Sequence, residues 1–152
     1  PMTVPGYWDD VAANASSFVA GYWKSGDVGS IDADGYLRIH DRMKDVVNRG
    51  GYKVYSVEVE NVIAQCPGVI ECAVLGYPDS VLGERVAAFI RMDEAAEPSQ
   101  QAIRQFCAIG LSDYKVPEAI VFLSEPLPRN ANGKVLKANL RQRLIDGGAA
   151  VR

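Results

Sequence analysis

Histidine is nearly missing from this chain and cysteine is sparse: 152 residues contain one His (His40) and three Cys (Cys66, Cys72, Cys107). Neither their number nor their spacing suits a tetrahedral zinc site, and an odd count so placed points to reduced thiols rather than a disulfide framework. Cys72 lies in an apolar run and Cys107 on the apolar side of a predicted helix, so both are expected in the core. His40 falls near a strand end, with nothing around it to suggest more than an exposed ring. Long hydrophobic runs are also lacking. No stretch reaches the roughly 18 apolar residues of a spanning helix, and Pro1-Met2-Thr3-Val4-Pro5 has neither the basic nor the apolar stretch of a secretory leader. A cytoplasmic protein is expected. Excess positive charge is absent too: a net charge of -3 opposes a broad nucleic-acid footprint and leaves room only for local phosphate recognition.

What is present is the balance of a globular protein, 48% hydrophobic and 23% charged. The first forty residues do not read as a complete domain. A helical stretch from Val11 to Phe18 has little apolar face, and Asp34-Gly35 is a hairpin turn between strands near Val28–Ile31 and Tyr36–His40. Tyr7, Trp8, Tyr22 and Trp23 have too little to pack against, so this segment is expected to be the remnant of a larger domain. From Asp45 onward the pattern becomes self-sufficient. Val46-Val47 and Val54-Tyr55 flank Gly50-Gly51 as a second hairpin. Ser56 is placed to cap a helix carrying Val59, Val62 and Ile63, ending before Pro67-Gly68. Strands are expected at Val69–Leu75, Glu84–Ile90 and Ile120–Leu123, with Pro78, Asp79 and Gly83 in the loop joining the first two. Pro98-Ser99 opens a helix with Ile103, Phe106 and Cys107 on one face. A last helix puts Leu136, Leu140 and Leu144 on one side, with Lys137, Arg141 and Arg143 elsewhere, before the chain frays at Gly147-Gly148-Ala149-Ala150. The fold class is α+β: a small sandwich of a β-hairpin and a mainly three-stranded sheet with helices, preceded by the β-rich remnant.

Four segments carry chemistry, and each has a plain alternative. Asp27, at the turn after Gly26, offers a carboxylate to a ribose diol, although a turn aspartate commonly bonds its own backbone. Asp41-Arg42-Met43-Lys44-Asp45 is either a solvated linker or a hinge at Lys44 with Arg42 facing a phosphate or ribose. Arg49-Gly50-Gly51 is either a simple turn or a backbone path for a thin ligand such as a pantetheine arm, with a guanidinium beside it. Pro128-Arg129-Asn130-Ala131-Asn132-Gly133-Lys134 is either an Asn-Gly turn with a solvated lysine or a device that projects Lys134 as a fixed cation.

Taken in order, these segments resemble the adenylate-forming superfamily of acyl-coenzyme A synthetases, peptide-synthetase adenylation domains and luciferases. Asp41 to Val47, then Gly50-Gly51, Glu58-Val59-Glu60 and Tyr114-Lys115-Val116-Pro117, look most like the coenzyme A ligases. The resemblance implies residues 1–41 as the end of a large adenylating domain, 42–45 as a hinge and 46–152 as the carboxy-terminal domain. It implies an acid–thiol ligase that makes acyl-AMP from a fatty or aryl acid and passes the acyl group to coenzyme A. Asp27 and Arg42 would bind the nucleotide, Lys44 would be the hinge, and Arg49, Gly50, Gly51 and Tyr52 would meet coenzyme A. Lys134 would be the adenylation lysine and a target for a lysine acetyltransferase. ATP, Mg2+ and coenzyme A would be substrates of the full-length enzyme, none bound tightly by this chain, which alone would be inactive. Lys24-Ser25, Ser56 and Asn130 stand where the family often has Arg-Thr, Pro and Thr. An adenylation domain loading a carrier protein, or a non-catalytic α+β binding module, are the alternatives.

Overall fold

The computed structural model describes residues 4–96 and 99–147; Pro1–Thr3, the helix-opening Pro98 and the expected fray at Gly148–Ala150 lie outside the described residues. Two compact units divide between Lys44 and Asp45.

In the first unit, turn chemistry makes the elements. Asp10 caps helix α1 (Val11–Ser17) by accepting from the Ala13 amide, and no residue of the helix is buried. Two short strands, β1 (Phe18–Val19) and β2 (Tyr22–Trp23), pair antiparallel. Strands β3 (Asp27–Ile31) and β4 (Leu37–Arg42) form a second antiparallel pair around the Asp34-Gly35 turn. Asp32 holds that turn by accepting from the Asp34 and Tyr36 amides. The charged run begins inside β4: Asp41 is buried and pairs with Val28, so it is not part of a solvated linker.

The second unit is built on β8. Strands β5 (Val47–Arg49) and β6 (Tyr52–Val54) form the glycine hairpin, and helix α2 (Ser56–Ile63) follows. Strand β7 (Val69–Asp79) pairs along its length with β8 (Gly83–Met92), then helix α3 (Gln100–Gly110), strand β9 (Ala119–Leu123) and helix α4 (Lys137–Asp146) complete the unit. The other edge of β8 carries β9 in parallel and, at the single pair Arg49↔Gly83, the hairpin. Strands β7 and β8 outrun the expected ones: Pro78, Asp79 and Gly83 belong to the ladder, not to the loop. β7 is an outer strand, where a proline without an N–H is tolerated.

The sheet is covered on both faces. Val74, Val86, Ala88, Ile90 and Ile120 meet α2 and α3 through Val59, Ile63, Ile103 and Cys107. Their alternating neighbours Ala73, Leu75, Ala87, Phe89 and Ala119 meet Leu127, Leu140 and Leu144 beneath α4. Two-sided burial explains why β7 and β8 read as continuous apolar runs rather than alternating ones. Burial pushes the Cys72 thiol up to about 12 and the Cys107 thiol up to about 11, so both stay protonated. Among the described residues no helix is long and apolar enough to cross a membrane.

Ser56 does not cap α2. Tyr55 holds the cap position, and Ser56 is fully buried as the first helical residue. Its Oγ accepts from Lys137 Nζ at 2.7 Å, while the same ammonium meets Glu60 Oε1 at 2.7 Å. Glu60 also accepts from the Val74 amide. Lys137, partly buried, thereby ties α4 to α2 and β7, with both partners present to compensate its charge.

Candidate functional site

In the first unit the two residues expected at a nucleotide are cross-strand neighbours. Asp27 opens β3 opposite Arg42 at the end of β4, with Arg42 Nε 3.4 Å from Asp27 Oδ1. The Asp27 amide donates to Ser25 Oγ, and the Met43 amide donates to the Gly26 carbonyl, so the turn and the end of β4 are tied together. An ion pair at this distance between partly exposed groups contributes little stability and leaves both side chains able to take another partner. Lys44 follows as an exposed residue at the unit boundary.

The glycine hairpin has a tight backbone reason for both glycines. Gly50 and Gly51 have φ of 57° and 88°, the pair of positive angles that a two-residue hairpin turn of this hand needs. A Cβ on Gly50 would also lie 3.2 Å from Leu82 Cδ2, whereas one on Gly51 would meet nothing within 4 Å. The Gly50 amide donates to the Leu82 carbonyl at 2.7 Å, fixing the turn on the β7–β8 loop. Arg49 is engaged: its Nη2 donates to Glu118 Oε1 at 2.7 Å, and Arg85 shares the same carboxylate at 3.3 Å. Arg85 also reaches Asp79 Oδ2 at 2.6 Å. Amides of Leu82 and Val81 together with Arg85 hold the Asp79 carboxyl down to about 2. Tyr52 stacks on Tyr114 with ring centroids 4.6 Å apart, and Lys115 pairs with Glu58 at 2.6 Å. Three motif segments distant in sequence therefore converge beside this turn.

Lys134 sits in a separate turn. Asn130 Oδ1 accepts from the amides of Asn132 and Lys134, and the Gly133 amide donates to the Asn130 carbonyl. Gly133 has φ 79°, a conformation that asparagine-glycine pairs favour. Arg129 braces the turn from below: Nη1 donates to the Gly133 carbonyl at 2.9 Å and Nη2 to Glu71 Oε2 at 2.8 Å. Glu71, on β7, also accepts from the Leu127 amide at 3.0 Å and lies 3.7 Å from Arg91. Burial raises the Glu71 pKa, but the Arg129 hydrogen bond, the Leu127 amide and the two guanidinium charges outweigh it and hold the carboxyl below its ordinary value. Lys134 itself is exposed, and its ammonium has no hydrogen bond or ion pair among the described residues.

The glycine turn and the lysine turn occupy opposite ends of β8. Arg49 pairs with Gly83 at one end, while Glu71, which braces the lysine turn, pairs with Arg91 at the other. Arg91 lies eight positions along the strand from Gly83, about 26 Å at ~3.3 Å per residue. The sequence singles out Asp27, Arg42, Lys44, Arg49, Gly50, Gly51, Tyr52 and Lys134 as candidates, and does not single out Glu71, Arg129 or Glu118, which the fold brings against them. Arg129 stood inside a quoted motif, whereas nothing local marks a glutamate 58 residues away as its partner. Among the described residues no group of three or more His, Cys, Asp or Glu side chains is placed to hold a metal ion.

Comparison with known proteins adds relatives to this geometry. A family model for the AMP-binding enzyme C-terminal domain matches residues 58–134, from the Glu58 beside the glycine turn to Lys134. The long-chain-fatty-acid–CoA ligase FadD13 of Mycobacterium tuberculosis is 44% identical over 136 residues, covering 90% of this chain and 27% of that protein. The 2-succinylbenzoate–CoA ligase of Geobacillus kaustophilus is 39% identical over 142 residues, covering 93% and 29%. Among solved structures, ATP-bound MatB from Rhodopseudomonas palustris superposes with a TM-score of 0.84 at 37% identity, over 93% of this chain and 28% of that one. The chain thus spans 27–29% of the length of these curated relatives.

Proposed function

The chain belongs to the AMP-binding enzyme C-terminal domain family, and on that footing we propose that it is the carboxy-terminal part of an AMP-forming acyl-coenzyme A synthetase. The whole enzyme joins a fatty or aryl carboxylic acid to ATP, releasing pyrophosphate, and then lets the thiol of coenzyme A displace AMP from the acyl-adenylate. Residues 42–45 form its hinge, residues 1–41 belong to the adenylating domain, and the enzyme works in the cytoplasm.

One observation carries the reading: an exposed, turn-mounted cation is braced from one end of β8 and a glycine turn pairs with the other end, two points about 26 Å apart along the strand. Two half-reactions with different needs can each use one end, provided the unit turns at Lys44 between them. In the first, Lys134 faces the carboxylate oxygen and the α-phosphate, where negative charge is concentrated, as a preorganised point charge. Asp27 accepts from the ribose hydroxyls and Arg42 pairs with the nucleotide, each able to leave the other at small cost. In the second, Gly50 and Gly51 present bare backbone to the pantetheine arm, Tyr52 lies alongside it, and Arg49, steadied by Glu118, faces its phosphates. Magnesium enters on the phosphates of ATP and offsets their charge. Acetylation of Lys134 by a lysine acetyltransferase would remove the cation and silence the first step alone.

The test is half-reaction kinetics on the full-length enzyme carrying Lys134→Ala. Acyl-adenylate formation should fall about 10²–10³-fold, while conversion of supplied acyl-adenylate to thioester stays near wild type. Equal losses in both steps would remove the assignment.

A further inference from the structure

We propose that Glu71 and Arg129 are positioning residues for Lys134, forming a clamp that fixes the lysine turn to the sheet during acyl-adenylate formation. This rests on the role given to Lys134 above and adds to it how that cation is aimed.

Packing reaches only the exit of the turn, where Val135 is partly buried against the layer beneath α4. Between Leu127 and Leu140 no side chain is buried, and residues 129–134 are all exposed. What fixes its tip is polar. The neck is closed by the Arg129↔Val135 bridge and by the Leu136 amide donating to the Pro128 carbonyl at 2.8 Å. Those contacts close the loop on itself and do not tie its exposed tip to the sheet. Glu71 is the β7 side chain that hydrogen-bonds to this segment, through the Leu127 amide at 3.0 Å and Arg129 at 2.8 Å. The guanidinium then spans from that carboxylate to the Gly133 carbonyl at 2.9 Å, one residue before Lys134. Arg129 suits this bridge because its planar fork presents two donors in fixed directions; a lysine ammonium at the end of a flexible stem has no such fork. A misplacement of about 1 Å at a reacting group can cost on the order of 10²-fold in rate, so a clamp on the residue next to Lys134 has leverage on catalysis without touching substrate. The glycine turn, at the far end of β8, should not feel its loss.

The experiment is a double-mutant cycle in the full-length synthetase, with both half-reactions measured for Glu71→Gln, Arg129→Ala, Lys134→Ala and the two doubles with Lys134→Ala. The single clamp variants should slow acyl-adenylate formation roughly ten- to 10²-fold, chiefly in kcat, and leave thioester formation from supplied acyl-adenylate unchanged. In the Lys134→Ala background each should cost almost nothing further, since a group acting only through the lysine has nothing left to aim. Millimolar guanidinium added to Arg129→Ala should restore part of the rate and do nothing for the double. Additive losses in the cycle, or equal losses in both half-reactions, would overturn the clamp by making the residues merely structural. Lys134→Ala with full adenylation would instead overturn the role of the lysine itself, and the clamp with it, so the two failures are distinguishable.

Discussion

Residues 4–44 and residues 45–147 both carry apolar side chains, but only the second unit has within this chain the partners that bury them. In the first unit Trp8 is 97% exposed and Tyr22, Ile31, Leu37 and Ile39 are all on the surface. In the second, every buried hydrophobic residue of the described chain is found, from Val47 to Leu144. Yet both contain well-formed helix and strands. The difference separates two sources of order. Elements of the first unit are specified by an Asp cap, an Asp-Gly turn and cross-strand amides, which need no core to choose them. Elements of the second are chosen the same way but are then held by apolar layers on both faces of one sheet. Local signals decide shape, and burial decides how much free energy that shape is worth.

The sharpest way to probe the contrast is at its border. Lys44→Pro in the full-length enzyme should retain pyrophosphate exchange and lose thioester formation, because proline fixes φ near about -65° and restricts Met43. Lys44→Ala should leave both nearly intact; alanine as damaging as proline would mean that the side chain, not rotation, matters. Next in size, Phe89→Ala in the core of the second unit should cost about 3–5 kcal/mol in denaturant unfolding of this chain, and a loss below about 1 kcal/mol would show that the site collapses freely. A smaller effect concerns acid. Asp79 is held down to about 2 in the folded unit, so it contributes stability above the ordinary carboxylate range that is lost as pH falls toward about 2. Asp79→Asn should lower the midpoint at neutral pH and flatten its decline over that acid window; an unchanged acid profile would contradict it. Smallest of all, Trp8→Ala should shift unfolding by no more than about 0.5 kcal/mol, and a larger loss would reveal burial of Trp8 in solution.

How far the sequence discloses the molecule follows the same division. Turns at Asp34-Gly35, Gly50-Gly51 and Asn132-Gly133 are legible because positive φ selects glycine locally. Helix faces at Val59–Ile63, Ile103–Cys107 and Leu140–Leu144 are legible because periodicity is local too. Pro78 misled because its usual meaning, a break, fails on an outer strand. Ser56 misled because a serine at a helix start has two uses, and only the fold brings Lys137 to its hydroxyl. Of the two candidate sites, the residues at the tips were visible as motifs. The carboxylates that hold them, Glu71 and Glu118, were not, since each meets its arginine across more than fifty residues.

Strand β8 places the two turns as a ruler places two marks, and its graduations are coarse. Side chains alternate across a sheet, so the loss or gain of one residue within β8 would turn Val86, Ala88 and Ile90 toward the layer built for Ala87 and Phe89. The distance between the marks can therefore change only in steps of two residues, about 7 Å each. A swing of the unit that suits one step would miss by that much at the next. Insertions among relatives should accordingly collect in the loops that flank this strand and leave its length untouched.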